Sequence, residues 1–350
     1  MKALKSIIIC LSILLCYNVE AQETAVSEYD QTIDKLIPKA KKNKLSEKQL
    51  LTLTNSYHQA NQNDHQRIME LKKSGQPDIW IEIYYKANNI NSRQNKITTL
   101  PDNIKTSMNF KALNLDSEIT NSREKAELYI YAKTIHLLKD INEENLKEAQ
   151  WLVDQLRKIN PQSNNIEELM IKLAVLPSKH IYLGLILPQQ DSDFPNDFKQ
   201  TALNFDNKNI YGIPFDTSHD NDTDYDLFIL VNIDKKSISP ERIDAVTFEE
   251  RNNGKVAKIT DKTMSKSANI SGTIAFIDVK KEVILINTPF DIGSTFVYHY
   301  AEMSGDKEAC SEQTLQLLKS QTIDFPSDNT LLKDTARKLN QILKNHYQKN

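Results

Sequence analysis

Between residues 46 and 75 the apolar positions Leu50, Leu53, Tyr57, Ala60, Ile68 and Leu71 recur at the spacing of one helical face. Ser46 and Gln49 have the form of a capping box, in which each side chain answers the other's backbone N–H. Gly75 provides a left-handed stop, and Pro77 opens a second helical run over residues 77–100. These signals predict a long antiparallel helical hairpin. A second hairpin is predicted from residues 124–140 and 142–161. In it Ala149, Leu156 and Pro161 match the second helix of a tetratricopeptide repeat, and Ala126, Tyr129 and Ala132 occupy first-helix positions. The turn between them is longer than that repeat allows, so one divergent, repeat-like unit is expected.

The periodicity changes after Pro177. Residues 179–188 alternate and are rich in branched side chains, as do residues 225–234, with a more polar run over 243–252. The runs 269–278 and 282–289 flank a short charged turn at Val279, Lys280 and Lys281, which predicts a β-hairpin. Its alternation puts Ile270, Gly272, Ile274 and Phe276 on one face, with Ser271, Thr273 and Ala275 on the other. Residues 294–319 are ambiguous at their start and read as helical by Lys307. Over residues 328–347, Leu332, Leu339 and Leu343 share a stripe with Thr335, Ala336 and Ile342, an amphipathic helix expected to pack on the body. The fold class expected is α+β. It comprises a helical, tetratricopeptide-like region over 22–176, a mixed α+β domain over 177–305 with an antiparallel hairpin, and C-terminal helices over 306–350.

The first 21 residues change the setting. Lys2 and Lys5 precede the short apolar run Ile7 to Leu15, and Val19-Glu20-Ala21 has the small-residue spacing of a signal-peptidase site. The run is too short to span a bilayer, and later apolar runs are broken by charge within a few positions. A lipoprotein signal acylated at Cys16 is the rival, but Leu15 stands where a small residue is needed. The expectation is an exported chain, periplasmic or at the cell surface of a Gram-negative envelope. Losing the leader takes the formal net charge from −3 to about −4. That leaves no basic footprint for nucleic acid or for an anionic membrane. Of three cysteines only Cys310 remains, so no internal disulfide forms, and a small buried thiol is expected there.

A wider pattern is visible in the order of segments. A long hairpin leads to "SGQPDIWIEIYYKANNINSRQNKI", and a repeat-like hairpin ends in "KINP". Then follow an alternating strand, "ISPERIDAVTFEE", "SGTIAFID" and "YAEMSGDKEAC". This order, from about Ser46 to Leu318, is similar to a family of tetratricopeptide-containing cell-envelope proteins of Gram-negative bacteria. Many of its members are lipoproteins, and no reaction is established for it. The resemblance implies a helical first half, a compact α+β second half and residence in the envelope; it implies no catalytic residue.

The chain offers few chemical motifs. In "HDNDTDYD", Asp220, Asp222 and Asp224 have the spacing that opens a calcium loop. However, Tyr225 stands where the turn needs glycine, and Val231 where a bidentate glutamate is due. A solvated acidic loop is the expectation, with no metal and no cofactor. His58 and His65 are seven apart, whereas helical metal pairs are spaced at four. Phosphate loops, nucleophile elbows, His-Glu-x-x-His and Cys-x-x-Cys are absent from the sequence. Glu249 and Glu250 are the one carboxylate pair of note, and alternation separates them to opposite faces. The leading expectation is a non-enzymatic interaction protein that docks an envelope protein partner, with Trp80, Tyr84, Tyr85 and Tyr129 as aromatic anchors. A carbohydrate or small-ligand binding protein and an unrecognised hydrolase are the alternatives.

Overall fold

A computed structural model describes residues 27–188 and 194–347. The leader, including Cys16 and its cleavage site, lies outside these residues. Contacts divide the chain into two compact units. One comprises the residues up to His136 with Trp151–Ser163, and the other Leu137–Gln150 with Asn164 onward.

The first unit is helical: α1 (Glu28–Lys41), α2 (Glu47–Ser74), α3 (Ile79–Thr98), the short α4 (Asp102–Ser107), most of α5 (Asp116–Leu137) and the C-terminal part of α6 (Glu143–Ile159). The capping box at the start of α2 forms, since Gln49 N donates to Ser46 Oγ (3.3 Å) and Ser46 N to Gln49 Oε1 (3.2 Å). Gly75 ends α2 at φ 66°, the left-handed conformation that spares glycine a Cβ clash. The apolar faces meet in two clusters: Ile33, Ile37, Leu53, Tyr57, Ile97 and Met108 in one, Ile68, Leu71, Ile83, Ala87 and Ile90 in the other. Among them is one charged knot. Arg93 on α3, only 4% exposed, pairs with Asp30 of α1 (2.5 and 3.0 Å) and Asp64 of α2 (2.7 Å), and donates to Asn61 (3.1 Å). Ala126 and Ala149, the small residues of the repeat pattern, are fully buried, whereas Ala132 is exposed.

The second unit holds a seven-stranded mixed sheet: β1 (Ile181–Ile186), β2 (Asn209–Ile210), β3 (Ile213–Asp216), β4 (Leu227–Ile238), β5 (Arg242–Asn252), β6 (Lys255–Asp278) and β7 (Val283–Gly305). β1 runs parallel to β3 and β4; β4, β5 and β7 all pair antiparallel to β6. The helices are α7 (Asn165–Val175), α8 (Phe198–Ala202), α9 (Glu312–Leu317) and α10 (Asp328–Tyr347), with a 3₁₀ turn at Lys307–Ala309. The α+β class stands, with helices first and the sheet after them.

The predicted hairpin is present, but far longer than the apolar runs suggested. Residues 294–305, left open by their pattern, continue β7 in unbroken register with β6 back to Ala257. One strand pair thereby serves two cores on opposite faces. Ile270, Ile274 and Phe276 of β6, with Ile286 and Ile292 of β7, pack under Leu332, Ala336, Leu339 and Leu343 of α10 and Phe198 of α8. Ala257, Ile259 and Ala301 point to the other face, where Ala309, Leu317 and Leu318 cover them. The buried phase of β6 changes between Ile259 and Met264. Lys266, nearly buried, ties the first core shut, reaching Asp328 at the start of α10 (2.8 Å), Glu241 (3.0 Å) and the Pro326 carbonyl (3.1 Å).

Candidate functional site

The four candidate anchors all lie in the helical unit and are all partly buried. Trp80 is half-buried beside the second cluster, with Lys125 Nζ 3.9 Å from its ring centre. Tyr84 and Tyr85 meet edge to face at 5.5 Å, and the Tyr85 hydroxyl donates to Gln155 (2.8 Å). Tyr129 is half-buried on α5.

The acidic loop is drawn onto its own backbone. Asp220 accepts from Asp222 N (3.1 Å) and the Thr223 hydroxyl (2.9 Å), while Asp222 and Asp224 are exposed. Among the described residues no three His, Cys, Asp or Glu side chains converge to hold a metal. Asp226 closes the loop by accepting from the amides of Lys179 (2.8 Å) and His180 (3.1 Å) and from Lys280 Nζ (2.7 Å). Burial works against ionisation there, but the Lys280 hydrogen bond and the two amides outweigh it and hold the carboxyl at about 2. A depressed value stabilises the fold above the ordinary carboxylate range near pH ~4, and the benefit is lost as pH falls through about 2. Asp226→Asn is therefore expected to cost about 1–2 kcal/mol at neutral pH. Urea titrations at falling pH should find the gap to the native chain closing, and a gap unchanged down to the acid limit would contradict this account.

Glu249 and Glu250 are separated, as alternation requires. Glu249 pairs with Arg251 along β5 (2.8 Å), and Glu250 accepts from Ser311 N (2.5 Å), Ser311 Oγ (2.8 Å) and Thr314 Oγ1 (2.7 Å), capping α9. Cys310 lies half-buried with its sulfur 4.0 Å from that of Met303, and burial followed by the Glu250 charge pushes its thiol up, away from the reactive thiolate. His58 Nε2 lies 3.2 Å from the Met108 carbonyl.

The sheet face turned away from α7, α8 and α10 carries a feature that no local motif announces. Tyr182 of β1 lies opposite Phe228 of β4, Phe228 opposite Ile277 of β6, and Ile277 opposite Ile284 of β7. This places four apolar side chains in one row across four strands. The next rows add Leu230 with Ala275, and Ile186 at the strand end. Ile284 is 63% and Ile186 47% exposed. At the β1 end, His219 of the acidic loop sits edge-on to Tyr182 (5.2 Å) and Phe228 (5.7 Å), and Tyr225 packs on both rings. The Tyr225 hydroxyl donates to Asp216 (3.3 Å), so a polar rim borders the aromatic group. A sequence search could have found this row only by knowing the register. In the helical unit, an open depression of about 410 Å³ is lined by polar groups including Lys41, Asn88, Asn91, Asn95 and Lys96.

No protein-family model matches the chain. No curated protein matches it either. Among solved structures it is similar to a crystal structure described as a minor lipoprotein from Acinetobacter baumannii, at 14% identity over 47% of this chain and 89% of that one, with a TM-score of 0.17. A likeness at that level transfers neither fold nor function. Among the described residues no helix is long and apolar enough to cross a membrane.

Proposed function

We propose that the protein is a non-enzymatic docking protein of the cell envelope that holds a protein partner against the apolar row on the sheet face turned away from α7, α8 and α10. The observation that carries this reading is the cross-strand row Tyr182, Phe228, Ile277 and Ile284, whose outer member is mostly exposed. Apolar groups that meet in one row and stay in water gain free energy when a complementary surface covers them, at about 25 cal/mol per Å². The acidic loop and Lys280 supply the polar rim expected around such a core. Export is supported by the charged, apolar and small-residue order of the first 21 residues. The helical unit is read as a second docking element, with the partly buried Trp80, Tyr84, Tyr85 and Tyr129 as its anchors.

The test is affinity capture of the tagged exported chain from crosslinked envelope, with Ile284→Asp and Ile186→Asp as variants. A stoichiometric protein that also binds when purified, and that both variants lose at least tenfold without a change in melting temperature, is the expected result. Equal capture by native chain and variants would remove the sheet face from the reading.

The polar depression on α3 favours a second reading, a glycan-binding protein, since amide and ammonium groups there suit hydroxyl-rich ligands. Binding of neutral oligosaccharides that Asn91→Ala and Asn95→Ala abolish would favour it, and no detectable binding across a glycan panel would remove it.

A further inference from the structure

β5 is an edge strand whose outer backbone is bare. Val279 N donates to Asp226 O (3.0 Å) and Asp306 N to Val256 O (3.0 Å). Within the registers, these bonds turn the odd residues of β6 toward β4 and β5 and the even ones toward β7. The even residues of β5 accordingly bond inward, leaving the N–H and C=O groups of Ile243, Ala245, Thr247, Glu249 and Arg251 directed outward. No backbone partner reaches these five among the described residues. The opposite edge is guarded. On β7, Pro289 occupies an outward position, and the Gly293 carbonyl accepts from Lys338 Nζ (2.7 Å). β5 has no proline and no register shift, and Val246 is 65% exposed.

We propose that β5 is a self-association edge, on which a second copy of this chain pairs antiparallel about a two-fold axis at Val246. The charges on the strand argue for a second copy in this register. Outward groups must face outward groups, so odd residues stay opposite odd ones and the copies slide only in steps. Centred on Val246, Arg242 lies opposite Glu250 of the second copy and Glu241 opposite its Arg251, and the symmetry makes each pair twice. Centring on Thr247 opposes Asp244 to Glu250, and centring on Ala245 opposes Glu241 to Glu249. Centring on Phe248 opposes no charged pair of either sign. At present Arg242 and Arg251 only bridge along their own strand, to Asp244 and Glu249 (2.8 Å each). The proposal is independent of the docking face, which lies on other strands.

The test uses a geometric consequence of the axis. The two Val246 residues form a non-hydrogen-bonded pair with Cα atoms about 4.5 Å apart, within the range a disulfide spans. In a Cys310→Ser background, Val246→Cys is expected to oxidise to a covalent dimer in non-reducing gels. Phe248→Cys, displaced from the axis, is expected to stay unlinked. Sedimentation of the unmodified chain should show a dimer, and Arg242→Glu should weaken it about tenfold at low salt with an unchanged melting temperature. A chain that remains monomeric at about 100 µM overturns the proposal, as does crosslinking through Phe248→Cys in place of Val246→Cys.

Discussion

Arg93→Ala is expected to destabilise the helical unit by about 3–5 kcal/mol, because it strands two carboxylates that the fold has taken from water. Asp30 and Asp64 come from α1 and α2, and the guanidinium on α3 is the group that joins them. Lys86 still reaches Asp64 (3.1 Å), and Ser27 still donates to Asp30 (2.6 Å), but neither replaces the planar fork of the arginine. Urea unfolding followed by helical circular dichroism reads the effect directly; a cost under about 1 kcal/mol would mean that the knot is not a support. Acidity provides a second handle. Burial raises the Asp30 carboxyl, yet the hydrogen bonds from Arg93 and Ser27 win, and it titrates below its ordinary value. Its contribution is thus complete above the ordinary carboxylate range and is lost as pH falls beneath it. The gap between native chain and variant should narrow in acid.

Gly272→Ala is expected to cost about 3 kcal/mol or more. A Cβ at this position would fall 1.9 Å from the Asn232 carbonyl oxygen, with the Asn232 carbonyl carbon at 2.9 Å and Ile233 Cα at 3.0 Å. All three are backbone atoms, in the stretch where β4 bulges between Ile233 and Lys235. Relief would require the bulge to open, and with it the register that seats Val231 and Ile274 in the core. Gly75→Ala is the comparison: its Cβ would meet open space, and only the positive φ is penalised, at about 1 kcal/mol. If the two variants lose equal stability, close approach at the bulge is not what requires Gly272.

How far the chain can be read before its fold is known depends on the range of each signal. Ser46 with Gln49, Gly75, and the Ile270 to Phe276 alternation act over a few residues, and all were legible. α1 falls within the region expected to be helical, but its bounds were not marked, with Pro38 inside it and the Arg93–Asp30 bond that helps hold it spanning 63 residues. The length of β6 and β7 was hidden because Ala257 and Ile259 are buried on one face and Met264 to Ile270 on the other. A single alternation summed over that stretch cancels. The aromatics of α3 were visible as aromatics, but not that Trp80 would meet Lys125 and Tyr85 would bond Gln155 from other helices.

The candidate site was the least legible part. Tyr182, Phe228, Ile277 and Ile284 lie up to about a hundred residues apart, and each looks like an ordinary strand position. Period and capping are properties of the backbone at short range, so local chemistry writes them into the chain. Which face of a strand is covered, and which residues stand opposite one another, follow from registers between distant strands and from where the helices pack. Those are choices only the assembled sheet makes.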